Sequence, residues 1–309
     1  MNNTAWKGHR LRQRRSTGRS DAMTVMAHRS ARWAGVEITD LDPQPRTHQP
    51  GQGVAPGAES IAAPSRFANP FEVDIAWPAA RMGALVQYGV WLARQDELLK
   101  DVRSLAGRDL SCTCALSDPA CHRNVLLDVA NPPPAHLVAD GRAMGLTVRR
   151  PWASLLLVPG SAGGKNVENR TWATDYRGPV LIYAGGGVDE PGVAAARRAN
   201  LDADWHTKQR GWLGAAVLVD VHPARYGCCR PWGQRPRPNS ETRIYHWVFE
   251  HPCRRRGSLK GRGFQGLRPT SWSVLVRRGL LGFNDTTVSE TAKTVGSQCQ
   301  GSVSDRECR

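Results

Sequence analysis

Apolar residues recur at helical spacing in the first half of the chain and predict three helices there. The longest stripe repeats every three or four residues over about three turns, as in an amphipathic helix. Its apolar members are Ala84, Leu85, Tyr88, Trp91 and Leu92. Shorter helices are predicted over residues 96–104 and 121–130, with a strand over 109–114 between them. The last helix must end before the prolines at 132–134.

The second half alternates short apolar runs with glycine-rich and charged segments, a pattern typical of strands. Strands are predicted over residues 146–149, 180–184, 214–221, 245–250 and 271–276. A short apolar helix begun by Pro151 and a charged loop over 163–170 separate the first two of these strands. A longer helix is predicted from Pro191 to about Trp205.

Composition divides the chain into two domains with a linker and two tails. The predicted segments are a disordered basic arm (1–30), an α/β domain (31–131), a proline linker (132–143), a β domain (144–282) and a disordered Ser/Thr-rich tail (283–309). A chain of 309 residues is long enough for this arrangement.

The charge balance indicates a polyanionic partner. The chain has 42 lysines and arginines against 27 acidic residues, a formal net charge of +15. Most of the basic residues are arginine, which binds phosphate bidentately and stacks on bases. An arginine-rich genome would explain the ratio of arginine to lysine but not the net charge. The composition therefore favours a nucleic acid as partner.

No apolar run reaches the about 20 residues of a membrane span, and the basic start lacks the apolar core of a signal peptide. We therefore expect a cytoplasmic protein with no membrane partner. Reducing conditions there disfavour disulfides, so the eight cysteines would be thiols or metal ligands. The sequence does not indicate an oligomeric state.

Three cysteines and a histidine lie close together before the third predicted helix. They are Cys112, Cys114, Cys121 and His122. By number and softness they form a complete zinc set, although the spacing is not that of a zinc knuckle. Alternatively, Cys121 and His122 at the helix start form an anion pocket with Arg66 and Asn69. In the third alternative the cysteines are core residues and the histidine caps the helix.

A second group of histidines and cysteines lies in the C-terminal half. Its members, which could gather at one end of the sheet, are His222, Cys228, Cys229, His251 and Cys253. Their spacing matches no standard zinc pattern. The run from Arg254 to Arg262 is rich in arginine and glycine, and we interpret it as a flexible basic loop that follows a nucleic-acid backbone or as a solvated turn.

The charged loop is the strongest candidate for a binding site. Its polar residues, with one arginine beyond it, are Lys165, Glu168, Asn169, Arg170 and Arg177. Such a density of charge indicates either a bound ligand or ion pairs among the residues themselves. Trp152 and Trp172 flank the loop, where they would stack on a base or fill the core.

The motifs around this loop resemble those of an ASCH domain. They are R-x-P-W-A at 149–153, G-x-K-x-x-E-x-R at 163–170 and Y-R-G-P at 176–179. The resemblance covers residues 144–282 and implies a small β-barrel like that of the PUA RNA-binding fold. Some ASCH-like proteins are amidohydrolases acting on acylated nucleosides, with the motif K-x-x-T-x-R. Here Lys165 and Arg170 match that motif, and Glu168 replaces the threonine.

The first half resembles the bacterial and phage family called domain of unknown function 4326. The shared patterns are S-x-x-x-N-P-F at 65–71, Y-x-x-W-L at 88–92, and C-x-C followed by C-H between 112 and 122. The resemblance covers residues 31–131 and implies a compact α/β unit without an established reaction.

The sequence therefore predicts an α+β protein of two domains, a small α/β unit and a PUA-like β-barrel, with disordered termini. The predicted function is binding of RNA, DNA or a modified nucleoside or nucleotide through Trp152, Lys165 and their neighbours. One alternative is an amidohydrolase or nuclease that uses Lys165 and Glu168 as catalytic residues. Another is a zinc-stabilised interaction module. Apart from zinc, no cofactor is expected.

Overall fold

A computed structural model of the protein describes residues 47–48, 57–71, 78–115, 117–132, 143–236 and 240–281. The predicted arm (1–30), the predicted tail (283–309) and all but the ends of the predicted linker (132–143) lie outside these residues. We found no helix in the described part of the chain with the length and apolarity needed to cross a membrane.

The first half forms three helices and a small parallel sheet. Its elements are β1 (Thr47–His48), β2 (Glu59–Ser60), α1 (Pro78–Leu92), α2 (Asp96–Arg103), β3 (Leu110–Ser111) and α3 (Arg123–Ala130). The three predicted helices are confirmed, and the ends of α2 and α3 differ from the prediction by at most two residues. The helix α1 begins at Pro78, before the first residue of the predicted apolar stripe. The predicted strand over 109–114 is shortened to β3, which pairs in parallel with both β1 and β2.

The second half forms a larger sheet with three helices. Its elements are β4 (Ala143–Arg150), α4 (Trp152–Leu155), β5 (Val167–Arg170), β6 (Gly178–Val188), α5 (Glu190–Arg198), α6 (Ala203–Lys208), β7 (Gly211–Pro223), β8 (Tyr245–Leu259) and β9 (Leu267–Thr270). A 3₁₀ helix follows over Trp272–Leu275 and another over Arg278–Leu281.

The six strands form an open sheet and not a closed barrel, and the predicted PUA-like barrel stays a prediction. Their order is β5-β8-β7-β6-β4-β9, in which only β4 and β6 are parallel. Within the described residues, the edge strands β5 and β9 each pair with a single neighbour. Pro269 lies in β9 and has no backbone N–H to offer to a further strand. The observed class is therefore mixed α/β with an open sheet.

The two central strands, β6 and β7, are buried on both faces, which explains their continuous apolar runs. On one face, Leu181 and Val217 belong to a core that also contains Leu85 and Tyr88 of α1. On the other face, Ile182 and other residues of β6 and β7 pack with apolar residues of α4. The first core therefore crosses the predicted domain boundary, and the division into two domains stays a prediction.

Several predicted boundaries in the second half are wrong. The helix predicted from Pro191 to Trp205 is two helices, because Asn200 adopts a left-handed conformation (φ 55°) and Asp202 caps α6. The strand predicted over 271–276 is mainly a 3₁₀ helix. The charged loop over 163–170 ends in strand β5, where it pairs with β8.

The predicted basic loop after Cys253 is also wrong in its first part, because β8 continues to Leu259. Arg255 is buried and its Nε donates to the carbonyl of Leu275 at 3.1 Å. Arg256, Lys260 and Arg262 remain exposed on the surface.

Arg254 joins a buried polar cluster that ties α4, α6 and β8 together. Its guanidinium donates to Ser154 Oγ at 2.7 Å, and Ser154 Oγ lies 2.7 Å from Nδ1 of His206. An arginine can only donate, so the serine accepts from it and has its own hydrogen left for the imidazole. Neutral His206 can accept this hydrogen at Nδ1. Burial and then the charge of Arg254 lower the pKa of His206 to about 4.

Acidification should therefore weaken the fold through His206. The unfolded chain binds this proton near the ordinary pKa of 6.5, whereas the folded protein binds it near pH 4. Between these values the unfolded state holds more protons, so stability present above pH 6.5 is lost as the pH falls. We expect denaturant titrations to show that His206 lowers the free energy of unfolding by an amount on the order of 1–3 kcal/mol as the pH falls from 6.5 to about 4.

The control for this prediction is His206→Gln, which keeps a hydrogen-bonding side chain without a titrating group. The other histidines contribute equally to both proteins, so the difference between the two pH profiles isolates His206. Parallel profiles between pH 6.5 and 4 would contradict the assignment.

Candidate functional site

A cleft of about 450 Å³ opens where α4, α5, β5 and the loop over 231–234 meet. Four of the residues predicted for the site line it, namely Trp152, Lys165, Glu168 and Asn169. The loop adds Trp232 and Gln234, and α5 adds Arg198. None of these three was among the predicted site residues. The cleft thus has two indole rings, a buried ion pair and an exposed arginine.

Two glycines bring Lys165 under the cleft. Gly163 has a positive φ of 77°, and a Cβ on Gly164 would lie 1.9 Å from the carbonyl oxygen of Val158. Only glycine fits such a turn. The N–H of Lys165 then bonds to the carbonyl of Leu155 at 3.0 Å, which fixes the residue at the end of α4.

Lys165 and Glu168 form a buried ion pair in the cleft. The Lys165 Nζ lies 2.5 Å from Glu168 Oε2, and Lys165 is only 3% exposed. Burial lowers the pKa of Lys165, and the neighbouring carboxylate of Glu168 opposes this shift. The ammonium also lies 5.1 Å from the centre of the Trp152 ring, within cation–π range.

Arg170 supports this pair. Its Nε lies 3.4 Å from Glu168 Oε1, while Nη2 donates to the carbonyl of Thr147 at 3.0 Å. Glu168 therefore has a cation near each oxygen. Since Arg170 is turned toward β4 and does not line the cleft, the structure favours a positioning role over the predicted ligand contact.

The indole rings of Trp152 and Trp232 form two sides of the cleft. Their centroids are 6.2 Å apart and their planes meet at 85°. Trp152 Nε1 donates to Asp189 Oδ2 at 2.8 Å, which fixes the ring against the start of α5. Both indole rings are partly exposed, so each keeps some surface that a ligand can contact.

Asn169 holds the loop that carries Trp232. Its Nδ2 donates to the carbonyl of Trp232 at 3.0 Å, and its Oδ1 accepts from the N–H of Gln234 at 2.9 Å. The side-chain amide thus makes the two hydrogen bonds to the loop that the backbone of a neighbouring strand would otherwise make. This geometry indicates that Asn169 acts mainly through the position of Trp232.

Trp172 and Arg177 lie away from the cleft. The Trp172 ring packs edge to face on Trp247 at 4.5 Å, in the core on the same face of the sheet as α4. Arg177 donates to the carbonyls of Thr174 and Tyr176 and lies 3.6 Å from Asp220. The structure thus places neither residue among those that line the cleft.

The N-terminal cysteines lie in the core beside α1. Cys112 and Cys121 are buried with their sulfurs 3.6 Å apart, and the two thiols and an imidazole nitrogen of His122 lie within 4.8 Å of one another. The hydrogen bond from Cys121 lowers the pKa of Cys112 to about 5 and raises that of Cys121. Cys114 is not in this group, whose three members are compatible with a metal.

Three residues of the predicted anion pocket have polar partners within the protein. Arg66 pairs with Asp101 at 2.6 Å, and Asn69 bonds to the backbone of Ala84 and Phe71. His122 is held by the carbonyl of Ile61, 3.0 Å from its Nε2. Burial lowers the pKa of His122, so the neutral form of its imidazole is favoured.

Comparison with known proteins supports one of the two resemblances. No curated protein matches the chain. Residues 45–132, which include the three N-terminal thiols but none of the cleft residues, match the family model described as "Domain of unknown function (DUF4326)".

Proposed function

We propose that the protein binds a single base in its cleft, either from RNA or DNA or as a modified nucleoside or nucleotide. The observation that carries this proposal is the pair of indole rings, set edge to face at 6.2 Å beside the buried charges of Lys165 and Glu168. Indole faces stack on bases of any sequence, and adjacent charged groups bond to base edges.

The dimensions of the cleft support a small ligand. Its volume of about 450 Å³ lies within the range of small-molecule sites, roughly 300–1,000 Å³. A double helix would need a much longer surface, whereas one unstacked base can stack on a single exposed indole face. Single-stranded or free nucleotides are therefore the preferred class of ligand.

A charge at the rim of the cleft suits the remainder of a nucleotide. Arg198 is exposed at the rim and lines the cleft, so it would contact a phosphate attached to a bound base. The net charge of +15 favours association with a polyanion.

The motifs that resemble those of ASCH domains support this proposal, although the sheet is not a closed barrel. R-x-P-W-A supplies Trp152, and G-x-K-x-x-E-x-R supplies Lys165, Glu168 and Arg170. Two motifs separated in sequence thus converge on one ion pair and its aromatic wall, which supports a shared binding role.

Hydrolysis is the second candidate function, because Lys165 has the surroundings of an activated amine. A buried lysine with a lowered pKa and a carboxylate at 2.5 Å can hold or accept a proton during attack on an acylated nucleoside. In that reaction water would attack the acyl carbon, and the amine of the nucleoside would leave with a proton.

Replacing Trp232 with alanine should weaken base binding. Stacking on one aromatic ring contributes about 1–3 kcal/mol, so the dissociation constant should rise roughly 5- to 150-fold. The measurement is fluorescence anisotropy with labelled single-stranded RNA and DNA, together with mass spectrometry of nucleotides that copurify. Trp205→Ala is the matched control, since Trp205 is 45% exposed and lies outside the cleft. Equal affinity in all three proteins, with no nucleotide copurifying, would remove the proposal.

Neutralising Arg198 should reduce the salt dependence of binding. If its guanidinium contacts one phosphate, Arg198→Gln lowers the slope of log affinity against log salt by about 0.7 on a single strand. Arg197→Gln is an almost ideal control, because it removes the same charge from the adjacent residue of α5. Arg197 lies 3.5 Å from Asp204 and does not line the cleft. Slopes that fall equally in both variants would show a general charge effect instead of a contact.

Lys165→Met should abolish any hydrolysis of acylated nucleosides, with a loss on the order of 100-fold or more. Glu168 keeps Arg170 as its ion-pair partner in this variant, and circular dichroism checks that the protein folds. Wild-type activity should rise with pH and reach its midpoint below the ordinary lysine pKa of 10.5. An inactive wild type that still binds a nucleoside would leave binding as the only function of the cleft.

A further inference from the structure

Four potential metal ligands meet at the end of the β7–β8 hairpin, beside the cleft. We propose that His222, Cys228, Cys229 and His246 bind one zinc ion, which holds the loop that carries Trp232. The two imidazole nitrogens and two sulfurs all lie within 4.8 Å of one another. The inference concerns the architecture of the cleft and does not depend on what the cleft binds.

Strand pairing brings the two histidines together. His222 near the end of β7 and His246 near the start of β8 are directly opposite in the register, and their ring centroids are 5.4 Å apart. The chain between these strands carries Cys228 and Cys229 back over the same two rings. His251 and Cys253, which the sequence analysis grouped with these residues, lie farther along β8 and outside the cluster.

Two of the sulfur–nitrogen distances are slightly shorter than those of a tetrahedral zinc site. Cys228 Sγ lies 3.3 Å from His246 Nδ1, and Cys229 Sγ lies 3.4 Å from His222 Nε2. Zinc bonds of about 2.3 Å to sulfur and 2.0 Å to nitrogen separate such ligands by about 3.5 Å in a tetrahedron. Two of the six separations are thus already close to those of a zinc site.

The other nitrogen of each histidine is held by an oxygen. His222 Nδ1 lies 2.6 Å from Asp220 Oδ2, and His246 Nε2 lies 2.9 Å from the carbonyl of Gln234. A carbonyl or carboxylate oxygen only accepts, so these nitrogens carry the proton and the opposite nitrogens present lone pairs to the thiols. Zinc-binding histidines are oriented by the same arrangement.

The two adjacent cysteines adopt a backbone suited to a shared centre. Cys229 has a left-handed conformation (φ 56°), which is uncommon for a residue with a side chain and turns its sulfur toward the same point as that of Cys228. Cys228 Sγ is held by the backbone of Arg225, whose N–H and carbonyl oxygen each lie 3.2 Å from the sulfur. Two thiolates and two neutral imidazoles would balance the charge of the zinc ion.

The cluster is continuous with the wall of the cleft. The N–H of Gly233 bonds to the carbonyl of Cys229 at 2.6 Å, and a Cβ on Gly233 would lie 2.7 Å from the His246 ring. Trp232 therefore lies on a short segment that the cluster holds from one side and Asn169 from the other. Zinc at this point would fix the aromatic wall.

Metal analysis tests the site against the N-terminal thiols. Protein produced with zinc and purified under reducing conditions should contain about one zinc ion per chain. The Cys228→Ser/Cys229→Ser double variant should contain none, whereas Cys112→Ala should keep its zinc. A wild type without zinc, a double variant that keeps its zinc, or loss of zinc in Cys112→Ala alone would each overturn the proposal.

Two measurements on the wild type keep the test decisive if the double variant does not fold. Cobalt substituted for zinc should show thiolate charge-transfer bands and the d–d bands of a tetrahedral site. Removal of the metal by a chelator should speed tryptic cleavage after Arg225, an exposed bond beside the cluster. A cobalt spectrum without thiolate bands, or cleavage at an unchanged rate, would contradict the assignment.

Discussion

The fold depends on covering both faces of β6 and β7 at once. Leu181 and Val217 face α1, while Ile182 and Leu218 face the core beside α4. Neither set can be exposed to water without losing roughly 25 cal/mol for each Å² of apolar surface. The close fit of α1 shows how tightly this side is filled, because a Cβ on Gly89 would lie 2.5 Å from the ring of Trp272. The first half of the chain thus covers one face of the sheet that the second half forms.

Covering one face with α1 leaves the other face for the cleft. There the buried Lys165 and Glu168 carry a large desolvation cost, which their contact at 2.5 Å and the nearby Arg170 offset. Replacing the pair with apolar residues would often be neutral or stabilising in such a place. Stability alone therefore does not account for a buried pair at the lining of an open cleft, which is consistent with the proposed binding role.

Local sequence predicted the elements better than their partners. The α1 stripe predicted a helix but not its full burial, since Val86 and Val90 outside the stripe are buried as well. Asn200 and Asp202 were readable signals that α5 and α6 are separate. In contrast, an apolar run such as that of β7 is expected both for a strand in a barrel wall and for a strand that is packed on both faces of an open sheet. Arg255 appeared to belong to an exposed run because its partner, the carbonyl of Leu275, is twenty residues away. Trp232 and His246 were missed for the same reason, since only the register of β5, β7 and β8 brings them to the site.

The position of Trp232 shows how a loop without regular structure can form a wall of defined shape. Such a segment has few backbone hydrogen bonds of its own, so its order must come from contacts at its ends. Asn169 supplies two of these bonds from β5, and His246 supplies a third from β8 through Gln234. These strands are neighbours in the sheet, so the loop is fixed relative to Glu168 by the same pairing that places Glu168. The aromatic wall and the ion pair therefore form one unit, whose geometry follows from the register of β5 on β8.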